Sequence, residues 1–187
     1  MTMHKKLLND KQDYGWLPII MHWLIALAVL GLYPLGLYID SLSYYDPEYR
    51  TVPAWHKSIG LLVMAVFIAR IAWRLINKPP MALPQPKLHE IAAKVAHAGL
   101  YLLLLITLIS GYLISTADGS PIELFSWFSV PALPYAIENQ EDIAGEIHFI
   151  VATLLISLAA LHAGAALKHH FIDKDITLKR MLAIQED

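Results

Sequence analysis

The chain has 187 residues, 57% of them hydrophobic and only 16% charged, with a mean hydropathy of +0.49, which excludes a disordered segment or an ordinary water-soluble domain. The formal charge of −2 says little as a sum, because in a bilayer the placement of charges along the chain is what matters. Absence of cysteine excludes disulfides, thiolate zinc sites, iron–sulfur ligation and covalent c-type haem attachment, so any metal must use histidine, carboxylate or methionine.

Four apolar stretches follow in order, near 16–39, 56–76, 91–115 and 144–167. Each is long enough to cross a hydrocarbon core that needs about 20 helical residues. The expected fold is therefore all-α, a four-helix membrane bundle forming a single domain over 1–187. Lys5, Lys6 and Lys11 precede the first stretch, but it is long, contains a histidine and is not closed by an A-x-A site. It reads as a retained anchor rather than a cleaved signal. The second and third stretches are joined by KPPMALPQPK, whose four prolines predict an extended connector that contains Lys87. Between the third and fourth, Thr116–Ile143 is long enough to carry structure of its own. Phe125, Trp127, Phe128 and Tyr135 are available there to lie at the membrane interface. No repeat, glycine-rich phosphate loop or nucleic-acid motif is present.

Basic residues divide unequally between the two ends of such a bundle. With the N-terminus inside, twelve of the fourteen fall on the cytoplasmic side and only Arg50 and Lys57 on the other. Positive charge is retained on the cytoplasmic side, so both termini are expected there. Nine acidic residues, among them Asp46, Glu48, Asp118 and Glu123, then collect at the outer surface.

Five of the nine histidines lie in or at the ends of the apolar stretches: His22, His56, His97, His148 and His162. Intramembrane histidines are expensive, and five together are hard to account for as separate hydrogen-bonding residues. His148 and His162 are fourteen residues apart, close to four helical turns, so they share a face and stand about 21 Å apart along the axis. His56 opens the second span at the outer level of His148, and His22 lies at the inner level of His162. Two depth-matched imidazole pairs are what two bis-histidine b haems require. Zinc fits poorly, because ligands split between two depths cannot converge on one tetrahedron. A proton relay or metal transporter without haem stays open as an alternative.

The segments MHWLIALAVL, WHKSIGLLVMAVFIARIAWRL, AHAGLYLLLLITLISGYL and above all GEIHFIVATLLISLAALHAGAALKHHF, with its H-x13-H spacing, resemble the bacterial four-helix cytochrome b561 proteins. The resemblance runs from His22 to about Arg180. It implies a dihaem protein of the bacterial inner membrane, with His22 and His162 on the inner haem and His56 and His148 on the outer one. His97, near the level of His22, is a possible further haem-site residue, as a ligand or as a partner of a propionate or quinone. Some members resemble superoxide oxidase, which passes electrons from superoxide to ubiquinone, whereas related b-type subunits relay electrons for hydrogenases and formate dehydrogenases.

For a superoxide-to-ubiquinone reaction, a quinone site needs a proton donor close to the inner haem and contact with membrane lipid. His169, seven residues beyond His162 on nearly the same face, is the candidate donor, and Lys87 a candidate hydrogen-bond partner for a quinone carbonyl. The bland readings are a solvated helix end at His169 and His170, and an ordinary cytoplasmic charge at Lys87. Outside, Arg50 and Lys57 flank His56 and would steer a small anion. The many outer carboxylates oppose that, which leaves a redox protein as the other candidate donor.

Overall fold

In the computed structural model, described here for residues 7–133 and 138–182, four long helices dominate: α1 (Trp16–Ser41), α2 (Thr51–Ile76), α3 (Lys87–Ser115) and α4 (Gln140–Phe171). A short α5 (Thr177–Met181) follows, and a two-stranded hairpin, β1 (Ile122–Leu124) and β2 (Phe128–Val130), stands between α3 and α4. Tyr135, Lys5 and Lys6 lie outside the described residues. All four long helices are apolar enough to cross a membrane. At 26, 26, 29 and 32 residues they exceed the span of a hydrocarbon core, about 30 Å, and project beyond it.

The extra length alters the placement of several residues. Helix α2 begins at Thr51, so His56 lies in its second turn and does not open it. Lys87 is not in the proline-rich connector but is the first residue of α3, because Pro86 is tolerated just ahead of a helix whereas its predecessors are not. Helix α4 continues through His169 and His170, and Lys168 in its last turn suits its C-terminal dipole as Glu141 and Asp142 suit its start.

Helix α1 packs chiefly on α2, and α3 on α4, with sparser approach between the two hairpins. A buried cluster of Val63, Phe67, Leu104, Leu108 and Leu155 closes the middle of the bundle. Much of the outside is also apolar, including Leu24, Leu27, Leu30, Leu154 and Leu161, as expected of side chains that face lipid.

Each end of the bundle is tied separately. At the terminal end, Trp23 Nε1 donates to the Met181 carbonyl at 2.8 Å, Arg180 to the Met81 carbonyl at 3.0 Å, and Met81 N to the Lys11 carbonyl at 3.1 Å. Thus α5, the α2–α3 connector and the N-terminal segment cover one end together. At the hairpin end, Ser58 is 2% exposed; its hydroxyl donates to the Glu123 carbonyl at 3.2 Å and accepts from Phe125 N at 3.1 Å. That clamp holds a turn in which Phe125 (φ 46°) and Ser126 (φ 61°) both take the left-handed conformation that non-glycine residues rarely adopt. In the α1–α2 turn, backbone and hydroxyl hydrogen bonds from Ser43 hold the Asp46 carboxyl below the usual carboxylate range.

Candidate functional site

Histidines meet across the seam between the two hairpins, at two levels. At the hairpin end the rings of His56 on α2 and His148 on α4 have centroids 6.3 Å apart. At the terminal end the rings of His22 on α1 and His162 on α4 are 6.4 Å apart. All four rings are half-buried. Leu155, midway between the two α4 histidines, belongs to the apolar cluster that separates the levels.

These separations can be compared with what a metal needs. An imidazole nitrogen sits about 2 Å from a bound first-row metal, so two rings on opposite sides of one iron have centroids roughly 6 Å apart, allowing for the half-width of each ring. Both pairs fit that spacing. His97 on α3 approaches His162 more closely, at 5.2 Å, which is short for two opposed ligands and favours His22 as the partner of His162. Among the described residues no group of three or more histidine and carboxylate side chains converges on one point, so a tetrahedral zinc site has no support there.

The surroundings of His148 orient its ring. Its Nδ1 lies 2.9 Å from the Thr107 carbonyl, an atom that can only accept, so Nδ1 carries the proton and Nε2 keeps its lone pair for a metal. The Ser110 hydroxyl, 3.2 Å away, reinforces that contact. His56 is held otherwise: its Nδ1 is buried without a hydrogen-bond partner. Both rings are approached by glycines. A Cβ added at Gly111 would come within 3.0 Å of His148 Cε1, and one at Gly36 within 3.4 Å of His56 Cε1. Gly111 thus leaves room for its ring, and Gly36 does so with more to spare. The sequence contains these glycines, but nothing in it says which of nine faces a ligand.

The terminal end is more polar, with Arg70 near His22 and His97. Arg70, within the apolar stretch of α2, donates from Nη1 to the Pro18 carbonyl at 2.8 Å and from Nε to the Tyr101 hydroxyl at 3.1 Å. Further along α4, His169 Nδ1 stands 2.8 Å from Asp175 Oδ2 and 3.1 Å from Asp173 Oδ2. Those are ion-pair distances, although the ring N–H is not aimed along either as a hydrogen bond. Burial would raise the Asp175 carboxyl, but hydrogen bonds from Thr177 and the proximity of His169 outweigh it and hold the carboxyl low. The role of Asp173 and Asp175 was not legible in the sequence, because the turn at Ile172–Ile176 is what folds them back on His169. Lys87 is exposed, and among the described residues no hydrogen bond or ion pair joins it to His169.

Arg50 and Lys57 are both exposed and lie two turns apart on one side of α2, about 100° around the helix from His56. Lys57 is near enough to Asp118 to lower its carboxyl, after the larger effect of the Ser120 hydrogen bonds, so part of its charge is already offset. On a neighbouring face of α2, Thr51, Trp55 and Ser58 with Phe125 and Trp127 line a hollow of about 620 Å³ at the strained turn. Trp55 and Phe125 pack edge to face at 5.2 Å, which forms an aromatic rim suited to a membrane interface.

The chain matches the sequence profile described as prokaryotic cytochrome b561 over residues 13–183. It is 49% identical over 175 residues, 93% of either chain, to cytochrome b561 homolog 2 of Escherichia coli. It is 31% identical over 186 residues to a protein of Yersinia pestis named probable superoxide oxidase CybB, covering 96% of this chain and 97% of that one. A third relative, cytochrome b562 of Cereibacter sphaeroides, is 31% identical over 182 residues, 94% of this chain and 98% of the other. Four apolar helices with imidazoles facing one another inside them agree with that kinship, and the chain belongs to the prokaryotic cytochrome b561 family of haem b electron-transfer membrane proteins.

Proposed function

We propose that this protein holds two b haems, one between His56 and His148 and one between His22 and His162, and carries electrons through the inner membrane from superoxide to ubiquinone. The observation that carries the dihaem reading is the pair of ring separations, 6.3 and 6.4 Å, at two levels of one bundle. The positive-inside distribution of basic residues favours termini in the cytoplasm and the hairpin end at the outer face. The name of the Yersinia relative supports superoxide as donor.

Bound haem supplies one-electron redox chemistry; the chain supplies ligation, spacing and proton access. His148, oriented by Thr107, would hold the outer haem through Nε2, and Arg50 and Lys57 bias the approach of an anion. Each superoxide loses one electron and leaves as dioxygen. At the inner end a quinone takes up two electrons and two protons to become the quinol. His169 delivers a proton there, is recharged through Asp173 and Asp175, and Lys87 holds a quinone carbonyl.

The acidic outer surface and the offset of Lys57 by Asp118 favour a second reading, in which a protein donor docks outside and the chain relays electrons for a separate dehydrogenase. Stopped-flow mixing separates the two. Superoxide should reduce the haems directly and added ubiquinone reoxidise them. His169→Ala should leave haem reduction intact and slow quinone reduction by roughly 10²-fold, the usual size of a lost general acid. Haems untouched by superoxide would sink the oxidase reading and leave the relay subunit.

A further inference from the structure

Arg70 is a half-buried cation in the apolar stretch of α2 whose hydrogen-bond partners are neutral. It stands six residues before α2 ends, and its guanidinium is turned inward by the Pro18 carbonyl of α1 and the Tyr101 hydroxyl of α3. Pro18 is one turn from His22, and Tyr101 one turn from His97. Arg74, a turn further along α2, lies 5.7 Å over the Tyr101 ring. Both guanidine-bearing residues line one cavity of about 30 Å³ with Pro18, Met21, Trp73 and Tyr101.

No carboxylate lines that cavity, and among the described residues none is ion-paired with Arg70 or Arg74; the acids that pair there do so with Lys94, Lys168 and His169. A cation partly withdrawn from water without a counter-charge is costly. Arginine ordinarily escapes this by extending its head to the interface. Here Arg70 is bonded inward, beside His22 and His97, and its charged neighbour on α2, the exposed Arg74, is also a cation. The cavity has room for a small polar group such as a carboxylate.

We infer that Arg70, supported by Arg74, is the counter-charge for a carboxylate of the porphyrin held between His22 and His162, and that it raises the potential of that haem. The inference rests on the dihaem reading above. Tyr101 is a positioning residue, since its hydroxyl aims the guanidinium.

The test is a spectroelectrochemical titration of the purified holoprotein in nanodiscs. A cation beside the haem disfavours the ferric form, which carries one more positive charge, so Arg70→Gln should lower one midpoint potential. The expected change is at least tenfold in the reduction equilibrium, about 59 mV for one electron. The other haem should stay unchanged. Arg70→Lys should keep most of the wild-type value, and Tyr101→Phe should move the same haem in the same direction by less. Unmoved potentials in Arg70→Gln, or equal shifts in both haems, overturn the inference. So does loss of copurified anionic phospholipid with unmoved potentials, which would assign the guanidiniums to a lipid phosphate. Should Arg70→Gln fail to fold, Tyr101→Phe decides: no shift overturns the inference. A wild-type protein with fewer than two haems fails earlier, and there it is the dihaem reading that falls.

Discussion

At the hairpin end, His148 is locked by the Thr107 carbonyl and Ser110, Gly111 and Gly36 leave space against the rings, and the surface beyond is acidic. At the terminal end, His162 has two histidine neighbours, Arg70 and Arg74 stand close by, and His169 is gripped by Asp173 and Asp175. One helix, α4, supplies a ligand candidate to both sites, so the contrast comes from what the other helices bring. An electron-transfer site needs rigid ligation and little else. A site that couples electrons to protons needs titratable groups. Under the dihaem reading, cations at the terminal end and acids at the hairpin end would set the two potentials apart and draw electrons from the hairpin end toward the terminal end.

The largest effect that could break this comparison is loss of a haem. His148→Ala should reduce the haem count from two per chain to one, with the terminal-end haem retained, and His97→Ala should leave both. A pyridine haemochrome assay reads the count. Two haems in the first variant, or one in the second, would require reassigning the ligands.

A smaller effect would sharpen the account of the hairpin end. Gly111→Ala places a methyl 3.0 Å from His148 Cε1 and 3.3 Å from its Nδ1, so the ring must give way slightly against its bond to the Thr107 carbonyl. The hairpin-end haem should then bind less tightly and show an altered visible spectrum. Gly36→Ala, whose methyl meets His56 Cε1 at 3.4 Å, makes only an ordinary contact and should change little. Equal behaviour of the two variants would show that the bond to Thr107 does not orient the ligand.

The smallest expected effect concerns the outer surface. Changing Arg50 and Lys57 together to glutamine should slow haem reduction by superoxide a few-fold, and rising salt should slow the wild type in the same sense. The effect is limited because Asp118 already offsets Lys57 and neither cation shares the His56 side of α2. A rate independent of both salt and substitution would remove charge steering from the mechanism.

Much of the architecture was legible in the residues because membrane helices obey a strong one-dimensional rule: a long apolar run must satisfy its own backbone hydrogen bonds, and helix does so. The proximity of the His56 and His148 rings and of the His22 and His162 rings could be anticipated from depth, since rise per residue converts sequence position into height. Helix ends were less legible. Residues 140–143 are too polar to read as membrane span and residues 51–55 contain Pro53, which reads as a break, yet both stretches belong to helices that reach beyond the hydrocarbon core.

Arg70 marks the limit of the one-dimensional reading. In the sequence it is one basic residue among twelve near the inner ends of the helices, indistinguishable from Lys78 or Lys94. Its two hydrogen bonds, to residues 52 and 31 positions away, make it an inward-facing charge. The same holds for Thr107, Gly111, Ser58 and Asp175, whose roles arise from neighbours distant in the chain. Sequence alone determined the number of apolar helices, the levels of the histidines and the kind of cofactor they suit, because those follow from length, hydropathy and spacing along an axis. Tertiary structure decided which ring faces which, where each proton is held and where charge is left uncompensated, because those depend on the rotation and mutual approach of helices.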